Sequence, residues 1–182
     1  MTESRAPNPP SPFIDGWIHR LAIDHRGGSA LDVACGRGRH ALALARAGFR
    51  VTALDRSLDA LRDLRRLDTG GTLQLACVDL EAWRWPTDQF SVVVVSRYLD
   101  RERFDAMRAA LKPGGVLLYE TFTEHQLRHA HGPRSRAHLL APGELRLRVR
   151  GMDVLYDEEV SGSESVARVA ARRRDAGGLR RG

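Results

Sequence analysis

Residues 29–55, SALDVACGRGRHALALARAGFRVTALD, contain the pattern that decides the fold. A segment at 30–34 that is apolar except for Asp32 leads into a glycine turn at 36–38, and a helix rich in alanine and leucine follows at about 40–47. A second apolar segment at 50–54 is then followed by an aspartate. A strand, a turn, a helix and a second strand in this order predict a parallel βαβ unit.

The alternation of strands and helices continues along the chain. Four consecutive valines within residues 90–95 indicate a strand that is buried on both faces, as the central strands of parallel sheets are. The turn residues Ser161-Gly162-Ser163 predict a hairpin that ends the sheet with an antiparallel edge. Besides those named, the predicted strands lie at 73–78, 116–120, 152–160 and 164–171.

Helices are predicted from apolar spacing and from capping residues. Residues 12–25 form an amphipathic helix, Ser57 caps a helix with leucines at helical spacing, and Asp100 caps the next one. The turn Lys112-Pro113-Gly114-Gly115 ends that helix and leads into the strand at 116–120, whereas residues 121–138 are irregular, polar and rich in histidine.

Composition predicts one cytoplasmic domain. The first twelve residues are too polar and proline-rich for a secretory signal, and no apolar run approaches membrane-spanning length. We therefore expect a disordered segment at 1–12, one domain at 13–171 and a basic, disordered tail at 172–182.

The positive charge has two explanations. The net charge of +6 is typical of a nucleic-acid-binding surface, which leaves an RNA substrate open. However, Lys112 is the only lysine among the 29 basic residues, and arginines are spread over the predicted helix faces. The use of arginine at nearly every basic position favours a coding bias over a dedicated nucleic-acid-binding surface.

The glycine turn indicates a site for a nucleoside-bearing cofactor. Gly36 and Gly38 let the backbone turn sharply and admit a ligand beside the positive end of a helix. Asp55 follows Gly38 by 17 residues, close to the spacing of a dinucleotide site. Asp32 would repel a pyrophosphate but attract an ammonium group, which favours S-adenosylmethionine over a nicotinamide cofactor.

These motifs resemble those of the class I S-adenosylmethionine-dependent methyltransferases, which implies a Rossmann-like, seven-stranded α/β sheet, mostly parallel with an antiparallel C-terminal hairpin and helices on both faces. Residues 31–38 resemble the first motif, with Ala34 where many members have glycine. The resemblance implies that Asp55 binds the ribose hydroxyls, and that Asp79 and the Leu80 amide bind adenine. The implied cofactor residues are Asp32, Ala34, Gly36, Gly38, Asp55, Arg56, Asp79, Leu80 and Ser96.

The segment Ser96-Arg97-Tyr98-Leu99 lies where this family brings acceptor and methyl group together. It differs from the Asn/Asp-Pro-Pro-Tyr pattern of amino methylation on DNA and protein. The segment is more similar to a short bacterial branch of the family that includes tellurite methyltransferases. Residues 119–122 and 139–145 resemble the same branch. We expect Tyr98 to face the methyl group, and Arg97 and His125 to contact the acceptor; packing and surface roles remain the alternatives.

The predicted function is methyl transfer to a small molecule, with an anionic or soft nucleophile, such as a thiol or a metalloid species, as one acceptor class. An RNA methyltransferase and a non-catalytic cofactor-binding module are the alternatives. His125, His129 and His131 raise a metal hypothesis, because the first two are spaced to share a helix face. No carboxylate or thiol lies at a convincing third position, so no metal is predicted. No membrane partner is expected, and the oligomeric state is left open.

Overall fold

The computed structural model describes residues 8–175. The chain divides into two compact units, Met1–Arg84 and Trp85–Gly182, here called the N-terminal and C-terminal units. The predicted segment 1–12 and tail 172–182 fall partly outside the described residues, and the single domain at 13–171 stays a prediction.

The N-terminal unit alternates helices with parallel strands. β2 pairs with β1 on one side and with β3 on the other, both in parallel. The predicted βαβ pattern is thus confirmed, and the predicted bounds differ by at most one residue. The elements are α1 Pro12–Asp24, β1 Ser29–Val33, α2 Arg39–Arg46, β2 Arg50–Asp55, α3 Leu58–Leu67 and β3 Leu73–Cys77.

Local sequence explains where α3 begins and which face it buries. The Ser57 hydroxyl accepts a hydrogen bond from the amide of Ala60 at 3.2 Å, so the predicted cap is confirmed. Leu61 and Leu64 are buried, whereas Leu58 is exposed at the first turn. The helix therefore places one leucine stripe against the sheet and its arginines in solvent.

The C-terminal unit combines a parallel pair with an antiparallel hairpin. β4 pairs in parallel with β5, β5 pairs antiparallel with β7, and β7 pairs antiparallel with β6. Every residue of β4 except its last is buried, as the valine run predicted. The elements are β4 Phe90–Ser96, α4 Phe104–Ala110, β5 Leu111–Phe122, α5 Glu144–Arg148, β6 Asp153–Ser161 and β7 Ser165–Arg172.

The strands form one seven-stranded sheet in the order β3-β2-β1-β4-β5-β7-β6. This mixed sheet, with its antiparallel C-terminal strands, confirms the predicted fold class.

Two predicted boundaries were wrong. β5 begins at Leu111 instead of residue 116, because residues 112–115 form a bulge within the strand and the register passes from Phe90–Leu111 to Val92–Val116. α4 begins at Phe104 instead of directly after Asp100, because the Asp100 carboxylate accepts the amides of the preceding turn.

The polar segment after β5 is more regular than predicted. It contains two 3-10 turns, Glu124–Arg128 and Arg136–His138. Ordered structure also continues beyond the predicted last strand, since β7 includes Arg172 and the side chains of Arg173 and Arg174 pair with Asp88 and Asp153. Within residues 8–175, no helix combines the length and the apolar character needed to cross a membrane.

Candidate cofactor and acceptor sites

The two glycines of the turn after β1 have different surroundings. A Cβ built on Gly38 would lie 2.4 Å from both terminal carbons of Leu64, so this glycine allows α3 to pack against the turn. A Cβ on Gly36 would meet no atom within 4 Å. Both residues have positive φ, 75° and 55°. Gly38 is therefore needed for packing, whereas Gly36 leaves open space beside the start of α2.

Ala34, two residues before Gly36, also has a left-handed backbone, with φ of 53°. A residue with a Cβ is disfavoured there by roughly 1–2 kcal/mol, which explains why glycine would suit this position. The amide of Cys35 donates to the carbonyl of Leu54 at 2.9 Å, so the turn is tied to β2. Burial raises the pKa of the Cys35 thiol, which argues against a nucleophilic role.

Asp55 at the end of β2 joins the turn to the start of α3. Its Oδ2 accepts the amide of Gly36 at 2.7 Å, and its Oδ1 accepts the amide of Ser57 at 2.8 Å. A carboxylate offers about four lone-pair positions, so each oxygen retains capacity for a further donor. The side chain is thus fixed in orientation and still able to bind two hydroxyl groups.

Asp32 in β1 is a buried carboxyl group that the protein only partly satisfies. It is 1% exposed, and its Oδ2 has no hydrogen-bond partner among the described residues. Burial raises the pKa of Asp32 to about 7, against the opposing effects of the Ala41 amide and Arg39. An unsatisfied buried oxygen of this kind is suited to a cationic ligand.

The end of β3 adds the remaining candidates of the N-terminal unit. The amide of Val78 donates to the carbonyl of Asp55 at 3.0 Å, which holds the ends of β2 and β3 together. Asp79 follows in an exposed position, where its Oδ1 accepts the amide of Glu81 at 2.9 Å. Leu80 is buried and Arg56 is exposed. The carboxyl ends of β2 and β3 thus bring Asp55 and Asp79 to neighbouring positions.

In the C-terminal unit, Arg97 directly follows Ser96 at the end of β4. Its backbone is left-handed, with φ of 56°, and its amide donates to the carbonyl of Glu120 at 2.8 Å. Its guanidinium donates to both oxygens of Glu164, at 2.8 and 2.5 Å, and lies 4.9 Å from the centre of the Phe122 ring. The hydrogen bond to Glu164 raises the pKa of Arg97.

Tyr98 is half-buried and held at both of its polar ends. Its hydroxyl donates to the Asp100 carboxylate at 3.1 Å, and its carbonyl accepts the hydroxyl of Tyr119 at 2.9 Å. Tyr119 is fully buried and stacks on Phe104 with ring centres 5.3 Å apart. The main chain at Tyr98 is therefore anchored to the core of the unit.

His125 lies half-buried in the 3-10 turn after β5. The ring of His129, which directly follows this turn, contacts the Ser165 hydroxyl at 3.0 Å. Glu120 is 3% exposed and pairs with Arg168 at 2.7 Å, so its carboxylate has a structural partner. Sequence reasoning missed Glu164 and Phe122, since neither a glutamate in a hairpin turn nor an apolar strand residue signals contact with an arginine far away in sequence.

Comparison with known proteins identifies the family. Residues 30–115 match the model of a methyltransferase domain, which spans the glycine turn and the aspartates that follow β2 and β3. This segment is therefore a methyltransferase domain. The match agrees with the resemblance inferred from sequence and supports S-adenosylmethionine as the cofactor.

Individual relatives of this methyltransferase are distant. It is 28% identical over 156 residues to a ubiquinone biosynthesis O-methyltransferase of Bordetella avium, covering 74% of this chain and 65% of that protein. Among solved structures, TehB from Haemophilus influenzae has a TM-score of 0.73 at 21% identity, covering 87% of this chain and 62% of that one. The chain thus spans just under two thirds of the length of these two relatives.

A methyltransferase from Mesorhizobium loti that depends on S-adenosylmethionine matches over nearly its whole length. The TM-score is 0.70 at 20% identity, covering 88% of this chain and 98% of that one. At such identities the structural likeness demonstrates the fold of this methyltransferase.

Proposed function

We propose that this methyltransferase transfers the methyl group of S-adenosylmethionine to a small-molecule acceptor. The observation that carries the proposal is the link between Asp55 and the glycine turn, beside a buried Asp32 oxygen with no partner in the described residues. That arrangement supports a sugar-binding carboxylate next to a place for an ammonium group.

The proposed cofactor contacts follow from the geometry of the N-terminal unit. Asp55 would accept the two ribose hydroxyls, because its oxygens retain lone pairs after binding two backbone amides. Asp32 would face the methionine ammonium, and Asp79 with the Leu80 amide would bind adenine. Ala34, Gly36 and Gly38 shape the turn, and Arg56 and Ser96 are proposed to complete the site.

The reaction needs positioning more than acid–base chemistry. A sulfonium is an activated methyl donor, so in-line alignment of a nucleophile can supply several kcal/mol of the barrier reduction. A general base is needed only for a neutral hydroxyl acceptor, whereas thiolates and metalloid anions need none. The relative from Bordetella is an O-methyltransferase, which supports a hydroxyl acceptor here; an anionic or soft nucleophile is the other class that we propose.

Three residues of the C-terminal unit are proposed to contact the acceptor. Tyr98 would face the methyl group, since its main chain is anchored by Tyr119. Arg97 and His125 would bind polar groups of the acceptor, because both lie on segments that follow strand ends.

Ligand-dependent stability tests the cofactor assignment. S-adenosylhomocysteine should raise the melting temperature while NAD should not, because only a ligand of the folded state stabilises it. Mass spectrometry after incubation with labelled cofactor and a panel of phenols, thiols and metalloid oxyanions then separates an enzyme from a non-catalytic binding module.

Asp55→Ala should weaken S-adenosylhomocysteine binding by about 10- to 150-fold, since hydrogen bonds to a charged group contribute about 1.5–3 kcal/mol. Asp59→Ala is the matched control, because Asp59 lies on α3 close in sequence and its side chain is 91% exposed. Isothermal titration calorimetry measures both variants. A change below about twofold for Asp55→Ala would remove this residue from the site.

A further inference from the structure

The main chain at Arg97 is held in an unfavourable conformation. Its φ of 56° belongs to the left-handed region, which a residue with a Cβ rarely adopts. Its amide donates a 2.8 Å hydrogen bond to the backbone carbonyl of Glu120, which fixes that conformation at the end of β4. Backbone strain that the surrounding structure maintains is concentrated at functional sites, which makes this side chain a candidate for ligand contact.

The Arg97 side chain already holds a carboxylate. Both of its terminal nitrogens donate to Glu164, at 2.8 and 2.5 Å, in a parallel pair of charge-assisted hydrogen bonds. The Phe122 ring lies 4.9 Å from the guanidinium carbon. A planar fork beside an aromatic ring recognises a carboxylate more selectively than a lysine ammonium would.

Glu164 reaches Arg97 from a firmly held hairpin. The residue lies between β6 and β7, and both backbone polar groups of the next residue, Ser165, are hydrogen-bonded. The amide of Ser165 donates to the fully buried Gln126 at 2.7 Å, and its carbonyl accepts the amide of Thr123 at 3.0 Å. The backbone beside Glu164 is therefore held in place, so that only its side chain needs to move for the ion pair to open.

The ion pair itself is only partly shielded from water. The side chains of Arg97 and Glu164 are 38% and 32% exposed. Because water reaches both side chains, displacing Glu164 costs less than breaking a fully buried pair would, and the released carboxylate regains its hydration. The guanidinium is thus accessible to a second carboxylate that competes with Glu164.

Given the proposed function, we propose that Arg97 anchors a carboxylate group of the acceptor and that Glu164 occupies this place until the acceptor arrives. The internal carboxylate satisfies the guanidinium in the free protein and moves aside when the acceptor binds. This methyltransferase therefore selects small molecules that carry a carboxylate at a distance from the methylated atom over their neutral analogues.

A matched pair of probes tests the proposal by binding alone. Protein saturated with S-adenosylhomocysteine is titrated in a calorimeter with 3,4-dihydroxybenzoate and with its neutral amide, 3,4-dihydroxybenzamide. We expect the carboxylate to bind at least fivefold more tightly to the natural sequence. Glu164→Gln should increase carboxylate affinity about three- to tenfold with no change for the amide, because the competing charge is gone.

Two further variants complete the test. Arg97→Gln should reduce the preference for the carboxylate to below twofold, whereas Asp157→Asn should preserve it. Asp157 is the control because it lies on β6 of the same hairpin and pairs with Arg146. Equal affinity for the two probes, or no binding of either, overturns the assignment of Arg97 as a carboxylate anchor. If Glu164→Gln binds the carboxylate probe with unchanged affinity, the proposal that the acceptor displaces Glu164 is overturned. Failure to bind S-adenosylhomocysteine would instead overturn the proposed function itself.

Discussion

A single buried carboxyl group sets a pH dependence in the N-terminal unit. Asp32 is almost fully buried, and burial raises its pKa to about 7 from an ordinary value of 3.8. Between these two pH values the folded protein binds the proton that the unfolded chain has released. The stability that this group contributes is therefore complete below pH 3.8 and is lost as the pH rises to about 7.

Asp32→Asn should abolish this part of the pH dependence. At pH 8 we expect the free energy of unfolding to rise by about 1–3 kcal/mol, because the variant avoids a buried charge, while its new amide group offsets part of the gain. At pH 4 the two proteins should differ far less. Urea denaturation from pH 4 to 8 measures the effect, and parallel curves for the two proteins would contradict it.

The turn between β1 and α2 shows how neighbouring glycines serve different elements. Gly38→Ala should lower the free energy of unfolding by about 2–4 kcal/mol, because a Cβ 2.4 Å from Leu64 displaces α3 and the left-handed backbone adds strain. Gly36→Ala adds strain alone, so we expect a loss of about 1–2 kcal/mol.

One experiment compares how the two glycine substitutions affect the free energy of unfolding and the affinity for ligand. Chemical denaturation without ligand ranks the two glycine variants, and calorimetry measures their affinity for S-adenosylhomocysteine. Gly36→Ala should lose affinity out of proportion to its stability, because its methyl group projects into the open space of the turn. Equal destabilisation of both variants would refute the division between packing and binding.

Elements with a strong local pattern could be predicted from the sequence. The βαβ units follow from apolar periodicity, and the α3 cap follows from Ser57, whose hydroxyl bonds the backbone as expected. The start of β5 could not be predicted, because Lys112-Pro113-Gly114-Gly115 has the composition of a turn and yet forms a bulge inside the strand. A bulge depends on pairing with a partner strand, which local composition does not encode.

Some residues of the candidate site could likewise be predicted from the sequence, and others could not. The positions of Asp55 and Asp79 follow from their places after strands, because parallel strands end at one edge of a sheet. The contact of Glu164 with Arg97 could not be predicted, since it joins residues 67 apart in sequence. Such a pair depends on how β7 is placed beside β5, which is a property of the folded sheet.

At the scale of the whole molecule, the positive charge is dispersed. Arginines of α3 pair with aspartates three residues away, as in Arg62 with Asp59 and Arg66 with Asp63. We therefore predict only non-specific RNA binding, with a dissociation constant weaker than about 10⁻⁶ M at physiological salt. Filter binding of labelled single-stranded RNA over a salt series measures it, with a variant lacking residues 176–182 as control. Nanomolar binding that requires that segment would support the RNA alternative.

The bulge of β5 has a practical consequence for spectroscopy. Lys112 is the only lysine of the sequence, and the bulge leaves it exposed. An amine-reactive dye can therefore attach to this side chain, besides the chain's α-amino group. A fluorophore at the base of β5 would thus follow ligand titrations without any engineered cysteine.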